Sequence, residues 1–182
     1  MSRGTRPTAA FADESIRGRR YVMGCVLVEE RRLPALWPAI NALVTGVAPR
    51  IHFNNDTDRQ KQRVLAAIAE MHLQAFAVVC DKRHGANEFQ ARAACVAEIV
   101  RQLQRRAVGR LVFESRQDDR DDVRTITRTR DRKPSLLFEH RTARHERVLW
   151  LADAVSWAVG AGQPWIDALG SALIDVIDVD PT

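Results

Sequence analysis

What the sequence lacks narrows it quickly. It has three cysteines, Cys25, Cys80 and Cys95. They are odd in number, far apart and set among apolar neighbours, as in "VMGCVLV" and "FAVVCDK". That pattern excludes a disulfide framework and zinc-ligand spacing, and it predicts reduced core thiols. No apolar run reaches the roughly 20 residues that a membrane-spanning helix needs. The N-terminal stretch "MSRGTRPTAAFADES" meets its acids too soon to hold the apolar region of a signal peptide. The expectation is a cytoplasmic protein with no membrane partner. No glycine loop opens a helix after a strand to cradle phosphates, since Gly160 and Gly162 follow a helix. Ser15 has no partners at triad spacing, and there is no internal repeat or low-complexity tract.

What is present fits one α/β domain. A chain of 182 residues, 46% hydrophobic, can bury a sizeable core, and its net charge of +5 agrees with an anionic partner without requiring one. "TAAFA" and "YVMGCVLV" read as two central strands of a hairpin, joined by a long basic loop, "SIRGRR". Leu33 to Val44 has helical spacing with Gly46 as a stop signal, and "RIHF" reads as a short extended piece. A helix capped by Asp56 or Thr57 follows, with Val64, Leu65, Ile68 and Met71 on one face. "LQAFAVVCDK" is a third strand. Ala86 to Ala107 is the longest helical pattern, with Phe89, Ala93, Val96, Ile99, Val100 and Leu103 inward and Gly109 as terminator. "RLVFE" is a buried strand, "DDRDDVRTITRTRDR" is weakly helical, "SLLFEHR" is a further strand, and "HERVLWLADAVSWAVGAG" is an apolar helix. Residues 163–182 are expected to add an amphipathic helix begun by Pro164, as a C-terminal extension of a single domain over 1–182. A hairpin followed by alternating strands and helices predicts a mixed sheet with helices on its faces.

Three acids sit in apolar company. Asp13 follows "AAFA", Glu114 follows "LVF", and Asp153 is the one ionisable residue from Val148 to Val159. A lone ionised acid in such a helix costs several kcal/mol or shifts its pKa unless a cation or hydrogen bonds meet it. The helix face carrying Asp153 also holds Ala152, Ser156 and Gly160, small residues that let it approach a sheet closely, while Trp150 and Trp157 cover a neighbouring face. Each acid alone has a bland explanation: a turn cap for Asp13, an arginine partner for Glu114 or Asp153. Three together point to a site. The chemistry that needs such a set is phosphodiester hydrolysis, in which two hard divalent cations roughly 4 Å apart are held by carboxylates converging from different elements.

The ordered motifs "FADES", "YVMGCVLV", "IHF", "FAVVCDK", "LVFESR" and "LWLADAVSWAV" together resemble the bacterial domain of unknown function 3800, over Phe11 to Gly160. The resemblance implies a ribonuclease-H-like fold, with an antiparallel hairpin, then parallel strands, and helices on both faces. It further implies a nuclease site with Asp13, Glu114 and Asp153 as catalytic ligands of Mg²⁺ or Mn²⁺, and Glu14, Asp118 or Asp119 as additional ligands or as groups in the outer shell of the metal. The chain is short for that family. The same fold also serves non-catalytic proteins, so a nucleic-acid-binding or protein-interaction domain is the alternative.

Arginines add a second line of argument. Arg116, Arg120, Arg124, Arg128 and Arg132 recur every four positions, a positive stripe beside Glu114 if the segment is helical, able to track the phosphates of RNA or DNA. The interleaved Asp118, Asp121 and Asp122 would equally suit a solvated face laced with ion pairs. Arg17, Arg19 and Arg20, just after Asp13, are further candidates for facing nucleic acid. His52 and His84 are isolated, and His140 and His145 lie in a basic stretch where a histidine could assist proton transfer.

Overall fold

The computed structural model describes residues 8–44, 51, 53, 55–116 and 119–181. Six strands form one mixed sheet: β1 (Thr8–Arg17), β2 (Arg20–Glu29), β3 (Gln74–Asp81), β4 (Arg110–Glu114), β5 (Leu137–Arg141) and β6 (Leu173–Val179), in the order β5-β4-β1-β2-β3-β6. β1, β2 and β3 are antiparallel neighbours, whereas β4 runs parallel to β1, β5 to β4 and β6 to β3. The helices are α1 (Leu33–Asn41), α2 (Asp58–Glu70), α3 (Glu88–Arg105), α4 (Asp119–Thr129), α5 (Val148–Ala161) and α6 (Trp165–Leu169). This is the expected ribonuclease-H-like arrangement of a hairpin and parallel strands with helices on both faces.

Side-chain alternation along β1 divides the core. Ala9 and Phe11 join Val26, Val112 and the buried faces of α1, α2 and α5. Ala10 and Ala12 join Met23, Cys25, Phe76 and the inner faces of α3 and α4. All three cysteines are free and buried, as core thiols. No described helix is long and apolar enough to cross a membrane.

Four expectations are corrected. "SIRGRR" is not a long loop: Ser15, Ile16 and Arg17 stay paired, Arg17 opposite Arg20, and a two-residue turn closes the hairpin. Gly18 takes φ +56° there, a left-handed conformation that glycine adopts without a Cβ penalty. On α3, Val96, Ile99, Val100 and Leu103 face the core as expected, but Phe89 is 57% exposed, and Ala91, Ala94 and Cys95 are buried where Phe89 and Ala93 were expected. That helix starts from an Asn87–Gln90 capping box and ends at Ala107, which takes φ +54°, so Gly109 instead leads into β4. Finally, residues 163–182 are not one helix. α6 stops after five residues at Gly170 (φ +51°), and the chain turns into β6, because the open edge of β3 offers backbone partners and Leu173, Ile177 and Val179 can pack on the sheet. Gly46 and most of "RIHF", including His52, lie outside the described residues.

The contact that positions the site is between α5 and β2. A Cβ added at Gly24 would stand 2.6 Å from the Ser156 backbone nitrogen and 2.7 Å from the Ala152 carbonyl oxygen. The helix backbone therefore rests directly on the strand, and Gly24 is the register partner of Asp13. Gly24→Val is expected to cost at least about 1–3 kcal/mol in a chemical-denaturation experiment, since backbone on both sides must yield. Gly109→Ala, where a Cβ meets nothing within 4 Å, serves as the near-neutral control.

Candidate active site

The parallel register that sets Ala12 beside Phe113 brings the next residues side by side, Asp13 in the middle of β1 and Glu114 at the carboxyl end of β4. Both point to the α5 face, by the alternation that sends Ala12 and Phe113 to the other. α5, seated on Gly24, adds Asp153. Asp13, Glu114 and Asp153 line a single depression of about 300 Å³, together with Glu14, Arg116 and Trp150. The Trp150 indole donates to the Ala143 carbonyl (2.8 Å), which fixes one wall.

Asp13 is 6% exposed. Burial pushes its carboxyl well above the usual range, and a hydrogen bond with Glu114, the Glu114 charge and the Asp153 charge push in the same direction, against Arg116. The closeness of these carboxylates disfavours a negative charge on Asp13, a repulsion that a bound cation would relieve. Among the described residues no three His, Cys, Asp or Glu side chains already stand in metal-ligating spacing.

Of the other expected ligands, Glu14 lines the depression but its carboxylate is held by arginines. Glu14 follows Asp13 on β1 and so faces the α3 side, where it accepts from Arg92 (2.6 Å) and also pairs with Arg116. Asp119 is turned to the start of its own helix, accepting from the Ser115 hydroxyl (2.8 Å) and the Arg116 amide (2.8 Å), as a helix-capping carboxylate does. Asp118 lies outside the described residues. Of the arginines, Arg116 reaches the rim of the depression. Arg120, Arg124 and Arg128 are exposed on α4, and Arg124 pairs with Asp121 (3.3 Å). Arg132 lies beyond the end of α4. Arg17 is not among the residues lining the depression. Its guanidinium lies over the Trp157 ring (4.5 Å) beside Gly160, because four residues of strand carry it on the order of 13 Å past Asp13.

Sequence reasoning missed the polar cluster on the opposite face. Arg92 of α3 donates to both carboxylate oxygens of Asp122 (2.8 and 2.6 Å), to Glu14 and to the Tyr21 hydroxyl (3.1 Å). His140 stacks on Phe113 (centroids 5.7 Å) and sets Nε2 3.2 Å from Asp122. That places it in β5, within the strand expected over "SLLFEHR", on the face away from Asp13. His145 bonds the neighbouring Thr142 (2.9 Å). Burial alone would raise the Asp122 carboxyl, but hydrogen bonds from His140 and Arg92 outweigh it and hold it low. Burial pushes the Tyr21 phenol up to about 12. A signal was available: Arg92, Val96, Ile99 and Leu103 share helical spacing, so an arginine stands on a core stripe, and Asp122 is one turn before buried Ile126.

These two acids give opposite pH responses. Asp13, raised in the fold, binds its proton more tightly folded than unfolded, so its contribution is full below the ordinary value of 3.8 and falls as pH rises through the folded value. Asp122, lowered in the fold, contributes above 3.8 and loses that contribution as pH falls through its folded value. In chelator, Asp13→Asn is therefore expected to leave the protein at neutral pH as stable as before or more stable, with a flatter decline from acid to neutral pH in denaturation curves. Arg92→Met leaves Asp122 and Glu14 buried without their cation and is expected to cost about 3–5 kcal/mol in the same assay.

Neither a family model nor a curated protein sequence matches the chain. Solved structures do. The chain is similar to ribonuclease H2 from Pyrococcus horikoshii OT3 (TM-score 0.61, 14% identity), over 91% of this chain and 80% of that one. It is similar to Bst-RNase HIII in complex with Mn²⁺ (TM-score 0.60, 13% identity) and to a point mutant of Bst-RNase HIII (TM-score 0.58, 14% identity), in both cases over 86% of this chain and 52% of that one. The chain thus spans about half the length of the RNase HIII structures. At these identities the likeness establishes the fold, which is ribonuclease-H-like.

Proposed function

We propose that the chain is a divalent-metal-dependent nuclease that hydrolyses phosphodiester bonds in RNA or DNA, with Asp13, Glu114 and Asp153 holding Mg²⁺ or Mn²⁺. One observation carries the reading: three carboxylates from β1, β4 and α5 line one depression where β4 ends beside the middle of β1. The donor set suits a hard cation, being made of carboxylate oxygens whose mutual repulsion a cation would relieve. Two such cations, when bound, activate a water and stabilise the leaving oxygen. The chain's own residues bind and orient. Arg116, held by Glu14, is at the rim to meet a phosphate, and the exposed arginines of α4 continue a positive surface away from it. The resemblance to the domain of unknown function 3800 and the Mn²⁺ in Bst-RNase HIII agree with this reading.

The second reading, a nucleic-acid-binding domain that keeps the fold without cleaving, is favoured by one observation. Among the described residues no three potential ligands are in metal-binding spacing, and Glu14 and Asp119 are engaged elsewhere.

The two readings separate in one assay series. Under the nuclease reading, millimolar Mg²⁺ or Mn²⁺ raises Tm, and labelled RNA or DNA is cut with metal but not in chelator. Asp13→Asn with Glu114→Gln abolishes both effects while the fold persists, and Asp153→Asn removes cleavage without destabilising the metal-free protein. Binding without cleavage, and no Tm shift with metal, establishes the second reading. Under either, replacing Arg120, Arg124 and Arg128 by Gln is expected to weaken binding and reduce the log–log salt slope by about 2 to 3. An unchanged slope assigns those arginines to solvated surface.

A further inference from the structure

From Ala161 onward the sequence has four aspartates, Asp167, Asp175, Asp178 and Asp180, and no lysine, arginine or histidine, in a chain whose net charge is +5. Three of these acids are on or next to β6, which is an edge of the sheet with no strand on its outer side among the described residues. β6 is seven residues long and pairs with β3 with a register shift at Ile174, so from Asp175 onward every second residue turns its backbone N–H and C=O outward. Ile174 and Val176 are exposed (41% and 39%), giving this edge apolar side chains as well as free backbone groups. Asp175, Asp178 and Asp180 form no salt bridge among the described residues.

At one end of the edge a cleft of about 720 Å³ opens between β6 and the segment after β3, with Asp178, Asp180 and Asp81 on its walls. Arg83 is the one cation among its lining residues, and its guanidinium is bound to Asp81 (2.7 Å). Lys82 next to it pairs with Glu88 (3.6 Å). Asp81 also pairs with Arg19 (3.8 Å), so its charge is offset, and the remaining negative charge of the cleft comes from Asp178 and Asp180, which share the field of Arg83. The cleft is wide enough for a long side chain.

We infer that the β6 edge is a docking site for an extended, lysine- or arginine-rich segment of a partner protein, which adds to the sheet as a seventh strand and sends a basic side chain into the Asp178–Asp180 cleft. The charge of the edge selects this occupant. Nucleic acid is repelled by it, and a second copy of β6 would bring the same acids alongside its own. A basic strand meets outward backbone groups, the exposed Ile174 and Val176, and unpaired carboxylates at once. The inference is independent of the acid site, which lies on the α5 face of β1 and β4.

The test uses the whole protein and two short synthetic peptides, one alternating lysine with threonine and one alternating glutamate with threonine. Amide hydrogen exchange of the protein is followed by NMR. The lysine peptide is expected to bind saturably, more weakly as salt is raised, and to slow exchange at alternate amides of β6. The glutamate peptide should do neither. Asp175→Lys with Asp178→Lys changes only exposed side chains, so the fold is retained. It is expected to weaken the lysine peptide by about tenfold or more and to admit the glutamate peptide. The inference is overturned if the lysine peptide protects residues around Asp13, Glu114 and Asp153 instead, or if the charge reversal leaves its affinity unchanged. It is equally overturned if β6 amides of the free protein become protected with rising protein concentration, which would make a second copy the occupant.

Discussion

Everything proposed for the acid site depends on how closely α5 approaches the sheet. The helix backbone at Ala152 and Ser156 lies against Gly24 with no space for even one methyl group. A strand with a side chain there would hold the helix off by the thickness of that side chain, and Asp153 would stand away from the strand ends. Because Gly24 is the cross-strand partner of Asp13, the close approach occurs at the level where the acids meet. The small residues on α5 and the missing side chain on β2 are two halves of one packing solution.

The sheet then assigns opposite roles to consecutive acids. Asp13 and Glu14 are adjacent in sequence, yet strand alternation sends one to the α5 face and the other to the α3 face. Asp13 enters a cluster of carboxylates that raises its affinity for a proton. Glu14 enters an arginine-centred cluster with Tyr21 and Asp122. That second cluster ties α3 to α4 and so holds the exposed arginines of α4 beside the end of β4. Arg116, bound to Glu14 and lining the depression with Asp13, connects the two faces. A buried charged cluster of this kind is costly to break because each member is desolvated, which is why one arginine carries several partners.

Charge is unevenly distributed over the same frame. α4 carries exposed arginines beside the end of β4, whereas β6 carries aspartates, with Arg83 and Arg19 at its Asp81 end. A net charge of +5 hides this polarity, and the polarity is what distinguishes a surface suited to phosphates from one suited to a basic polypeptide.

Much of the fold was legible in the sequence. Central strands announced themselves as continuous apolar runs, helices as apolar residues at helical spacing, and the three acids as ionisable groups where burial should forbid them. Those signals are local: hydrophobic period and the cost of an unpartnered charge can be read within a single element. What only tertiary structure decided is pairing. The last seven strand residues, "LIDVIDV", suit either a helix or a strand by composition, and the open edge of β3 settled the matter by offering backbone partners. Phe89 turned outward and Arg92 inward because α3 had to satisfy Glu14 and Asp122, residues that come from β1 and α4. The sequence by itself determined which residues had to be buried and which acids needed an explanation. The tertiary structure decided who meets them, because electrostatic and packing partners far apart in the chain are chosen by register and helix placement, and neither is written in any single segment.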